Sequence, residues 1–67
     1  MKYKRIRPAD EFDYVSILDG STGEMTTSAV WPDGFELHNS ALNIYDAGWP
    51  SLEQFLNSRK GFEEIKN

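Results

Sequence analysis

The clearest periodicity lies near the C-terminal end, where Leu52, Phe55 and Leu56 stand at i, i+3 and i+4, one apolar stripe of a helix. Ser51-Leu52-Glu53-Gln54 ahead of it reads as a capping box. In that motif the serine hydroxyl accepts from an orphan amide and the glutamine side chain reaches back to the serine amide. Arg59 and Lys60 fall in the last turn, where the helix dipole favours cations. Gly61 supplies a left-handed residue past the end, with Phe62 folding back on Leu56. The spacing predicts a helix over 52–60.

The middle of the chain carries sheet patterning. Residues 14–18 and 25–31 are β-rich runs joined by Asp19-Gly20-Ser21-Thr22-Gly23, a polar connection whose two glycines suit a hairpin. Trp31-Pro32-Asp33-Gly34-Phe35 is a second turn, in which Pro32 pre-sets φ and Asp33 bonds the local backbone. Residues 35–38 and 42–45 alternate as third and fourth strands. Apolar parity slips by one between Leu37 and Leu42, which places a bulge or tight turn at 39–41. Parity then points Val15, Ile17, Met25, Ala29, Trp31, Phe35, Leu37, Leu42 and Ile44 toward the helix. It leaves Tyr14, Ser16, Thr26, Ser28, Glu36, His38, Asn43 and Tyr45 on a wet face. The predicted fold class is α+β. A small antiparallel sheet of about four strands (14–46) carries one C-terminal helix (51–60) on one face, with a tail at 61–67, in a single domain.

Charge changes how the start of the chain is read. Four of the seven basic residues, Lys2, Lys4, Arg5 and Arg7, occupy the first seven positions, leaving three bases against eleven acids in the remaining sixty. Neither parity of this strip is cleanly apolar, so an edge strand or an arm over 1–11 is expected. Pro8 would open a short helical turn over 9–12. Cations on an edge strand discourage sheet-to-sheet association, and opposite charges across strands add modest stability near Asp10, Glu11 or Asp13.

Sixty-seven residues without cysteine make one small domain that holds no disulfide, thiolate or cysteine-metal site. The absence of an apolar run after Met1, or of about twenty apolar residues anywhere, leads to a cytoplasmic expectation. Candidate chemistry thins out quickly. His38 is the sole histidine, and nothing marks a nucleophile or orienting acid for it. Zinc would have to rely on carboxylates alone beyond that histidine. The loop from Asp19 to Glu24 lacks the Gly-Lys-Ser/Thr ending of a Walker loop and the oxygen ligands of an EF-hand. Asp10, Glu11 and Asp13 invite comparison with a glycosidase carboxylate pair, but so short a chain has little material for a sugar cleft. No catalytic residue, metal or cofactor is expected.

What remains is a non-enzymatic protein-binding module, an inhibitor or accessory protein acting by occupancy on a larger, nucleic-acid-handling machine. Small acidic domains of this kind are common in phage and mobile elements. The expected partner is a protein with a basic surface. The residues nominated to meet it are Asp10, Glu11, Asp13, Tyr14, Asp33, Glu36, His38, Tyr45, Asp46 and Trp49. The alternative is a single-strand nucleic-acid binder using Lys2, Tyr3, Lys4, Arg5 and Arg7 with tyrosine stacking. The acidic body opposes that reading. Pairing of two copies through an edge strand is also open.

Overall fold

The computed structural model describes residues 1–66. The elements run β1 (Lys2–Pro8), β2 (Asp13–Asp19), β3 (Glu24–Val30), β4 (Glu36–Asn43), α1 (Leu52–Ser58) and β5 (Glu63–Ile65). The strands form one antiparallel sheet in the order β4-β3-β2-β1-β5. The α+β class therefore holds, with more strands than expected. Among the described residues no helix is long and apolar enough to cross a membrane.

Four corrections concern the strands and the turns between them. The expected third and fourth strands are one strand, β4, whose partners step from Ser28↔His38 to Thr27↔Ser40 and skip Asn39. The parity slip thus produces a bulge inside a continuous strand. At the start of the chain, Lys2 to Lys4 are not at an edge: they lie between β2 and β5, opposite Asp19 to Ile17 on one side and Ile65 to Glu63 on the other. The expected tail contributes that fifth strand, while its last residue, Asn67, lies outside the described residues. Finally, residues 9–12 form a hairpin turn in place of a helical one, since Ala9 N–H donates to Phe12 C=O at 3.0 Å.

The largest correction is the face of β2. Gly23 N–H donates to Asp19 C=O at 2.8 Å, closing a turn that sets Leu18 opposite Met25. With Met25 and Ala29 facing the helix, this register turns Tyr14, Ser16 and Leu18 to the same side. Val15 and Ile17 go to the uncovered face, against expectation. Tyr14 and Ser16, expected to be wet, lie on the helix side. Ser16 is buried there, and its hydroxyl pairs with that of Thr27 at 2.9 Å.

The core is small. Leu18 and Ile44 are fully buried and Phe55 nearly so, rimmed by Tyr3, Met25, Trp49, Leu52, Leu56 and Phe62. Ile44 sits just beyond β4, where its N–H bonds Gly23 C=O at 2.9 Å. The seven-residue helix does not reach β4. Leu37 and Leu42 face the expected side yet are 56% and 43% exposed. Trp31 is half-buried and Phe35 is 58% exposed, so neither belongs to the core as expected.

The helix keeps its predicted start and ends two residues early. Ser51 Oγ accepts from Gln54 N–H at 3.1 Å, which realises the serine half of the capping box. Arg59 is the C-cap in extended backbone, its N–H on Phe55 C=O at 2.8 Å. The two cations expected in the last turn therefore lie beyond it. Gly61 takes φ +100, and Phe62 returns onto Phe55 with ring centroids 5.6 Å apart.

Candidate functional site

The register sorts the nominated residues into three places. The β1–β2 turn and the β3–β4 turn lie at the same end of the sheet, because Asp13 opposes Val30 and Val30 opposes Glu36. Asp10, Glu11, Asp13, Asp33 and Glu36, all exposed, are thereby gathered at that end from two segments some twenty residues apart. Asp33 also shapes its turn, since its Oδ1 accepts from Phe35 N–H at 3.0 Å. A shallow depression between the two turns is lined by Asp10, Glu11, Phe12, Val30, Trp31 and Pro32 among others.

Aromatic rings form the floor of this end. Phe12 packs edge-on to Tyr14 at 5.1 Å and tilted against Trp31 at 4.7 Å, and Trp31 meets Phe35 at 5.5 Å. Of the nominated residues, Tyr14 alone belongs to this chain of rings, on the helix side of the sheet. Phe12, Trp31 and Phe35 are not among the nominated residues, Trp31 and Phe35 having been expected in the core. Phe12 sits in a polar stretch with no periodic partner, and only the two-turn register brings it to Trp31. Of these rings Phe12, Tyr14 and Trp31 are half-buried and Phe35 is exposed.

The other nominees lie elsewhere. His38 is exposed on the open face at mid-strand, between Ser28 of β3 and solvent. Tyr45 and Asp46 occupy the opposite end, where the Tyr45 ring covers Gly23. Trp49 is engaged by the fold, edge-on to Phe55 at 5.3 Å with the Arg59 guanidinium 5.4 Å from its ring.

The cationic strip is divided between the two faces. Lys2 and Lys4 point to the open face, opposite Asp19 and Glu63 respectively. Tyr3, Arg5 and Arg7 point to the helix face, and Tyr3 packs against the core. Arg5 lies over the Phe62 ring at 4.9 Å and Arg7 over Tyr14 at 5.4 Å. Partial burial, with Arg7 and Arg59 nearby, lowers the Arg5 guanidinium below its ordinary range. These arginines act first as clips that hold aromatic rings to the sheet.

At the far turn, Asp19 is held below the usual carboxylate range, chiefly by the Ser21 N–H on its Oδ1 at 2.8 Å. A depressed folded value means that its charge favours folding above the ordinary carboxylate range. The contribution is lost as pH falls through that lowered value. No group of three or more His, Asp or Glu side chains among the described residues is arranged to hold a metal ion. The chain matches no family model, no curated protein and no solved structure.

Proposed function

We propose that this protein is a small non-enzymatic binding module that meets a basic protein surface with the acidic, aromatic end of its sheet. One observation carries the reading: two separate turns bring the exposed carboxylates of Asp10, Glu11, Asp13, Asp33 and Glu36 to the end of the sheet at which Phe12, Trp31 and Phe35 pack together. Charges of this kind steer encounter and fix orientation, while exposed Phe35 and the open edges of half-buried Phe12 and Trp31 supply area that desolvates on contact. The module works by occupancy, as an inhibitor or accessory protein. No bond is made or broken, and the depressions found among the described residues are shallow and open to solvent.

The single-strand reading has less support. Its five residues are split between two faces, and Tyr3 is packed into the core rim. The test is affinity capture from a cognate lysate, with the retained protein identified by mass. Glu11→Lys, Asp33→Lys and Glu36→Lys together should weaken that capture by about tenfold or more, whereas Glu24→Lys with Asp46→Lys at the other end should not. Capture indifferent to the first set would refute the reading. So would salt-sensitive oligonucleotide binding that is lost on neutralising Lys4, Arg5 and Arg7.

A further inference from the structure

The two edges of the sheet are defended unequally. On one side stand β5, with Glu63 and Glu64, and the outer half of β1, with Arg5, Arg7 and Pro8. Charges and proline of this kind discourage a further strand. On the other side β4 runs eight residues with no lysine, arginine or proline, and Glu36 is its one carboxylate. Leu37 and Leu42 are exposed along it, with Phe35 just before it.

We infer that β4 pairs with β4 of a second copy, antiparallel about a two-fold axis between Asn39 and Ser40, joining two five-stranded sheets into one. Hydrogen-bond phase is the first argument. Trp31 N–H donates to Phe35 C=O and Ile44 N–H to Gly23 C=O, each at 2.9 Å, so residues 35 and 44 turn their backbone groups toward β3. Alternation from both ends, with the bulge between, turns those of Glu36, His38, Ala41 and Asn43 outward. The two-fold sets Glu36 opposite Asn43 and His38 opposite Ala41 of the other copy, outward groups meeting outward groups in all four pairs.

Side-chain facing is the second argument. Leu37 and Leu42 are five residues apart and would lie on opposite faces of a regular strand. The bulge puts both on the helix face, opposite Ala29 and Met25 of β3. The same two-fold sets each leucine against the other leucine of the second copy, at the closer, non-hydrogen-bonded pairs. The apolar row Leu18, Met25, Leu42 then continues into Leu37, Ala29 and Tyr14 of the neighbour. The register opposes no like charges. One strand pair with four leucines is a small interface, so the association belongs to the weak, concentration-dependent class.

Sedimentation equilibrium between about 10 µM and about 1 mM should show the mass rising from 7.7 kDa toward twice that value. Ala41→Pro removes an outward N–H and spares the ladder to β3, so it should leave a folded monomer by circular dichroism. Leu37→Lys and Leu42→Glu should each weaken association by about tenfold or more. Together they set opposite charges face to face twice, and should restore association to within about threefold of the parent in a salt-sensitive form. A chain monomeric at every concentration overturns the inference, including the case where the edge instead takes a strand of another protein. A dimer untouched by a folded Ala41→Pro variant, or a double variant no better than its parts, also overturns it. Should Ala41→Pro not fold, the charge pair decides alone.

Discussion

At the residue scale the most constrained position is Gly23. Its φ is +82, and a Cβ built there would lie 2.5 Å from the Tyr45 ring. Gly34 has a similar φ of +94 but nothing within 4 Å. Comparing the two separates backbone strain from crowding. Gly34→Ala should cost about 1 kcal/mol through φ alone, and Gly23→Ala about 3 kcal/mol, since the ring must move as well. Thermal unfolding would register the difference as a melting temperature lower by about 10 °C in the second variant. Equal losses would mean that Tyr45 yields freely. The need for glycine was legible in Asp19-Gly20-Ser21-Thr22-Gly23, but the tyrosine above it was not, because residues 23 and 45 meet only across two strands.

At the scale of elements, the helix start, the two glycine-bearing turns and the bulge near residue 39 were all readable, since each rests on local chemistry. The face of β2 was not. Apolar residues stand at 15, 17 and 18, so composition supports either parity. The choice falls to a turn closing between Asp19 and Gly23, and one residue more or less reverses the strand. β5 was missed because Glu63-Glu64-Ile65 has no sheet pattern of its own and exists only by pairing with Lys2 to Lys4. The helix is short enough for its cap to matter. Ser51→Ala removes the acceptor for Gln54 N–H and should cost about 1 kcal/mol, which Ser51→Asp should recover. Chemical denaturation that finds the alanine variant as stable as the parent would show the cap to be dispensable.

At the scale of the whole molecule, one cluster of Leu18, Ile44 and Phe55 joins helix to sheet. Truncating Phe55 to alanine should cost about 3–5 kcal/mol, comparable with everything a core this small supplies. Phe55→Ala should thus be largely unfolded at 25 °C by circular dichroism. Phe35→Ala, at a ring 58% exposed, should stay folded with a loss below about 1 kcal/mol. A folded Phe55→Ala chain would place the stability elsewhere. The candidate site was legible as a set of residue types and illegible as a place. Asp10 and Asp33 come to the same end of the sheet only once two hairpins share a register. The strand order has a temporal consequence. The β1–β2, β2–β3 and β3–β4 hairpins close short loops, whereas joining β5 to β1 must bring Ile65 to Lys2 across nearly the entire chain. That seam therefore closes last during folding and parts first during unfolding, while β2 and β3, paired on both sides, hold their backbone amides longest against exchange.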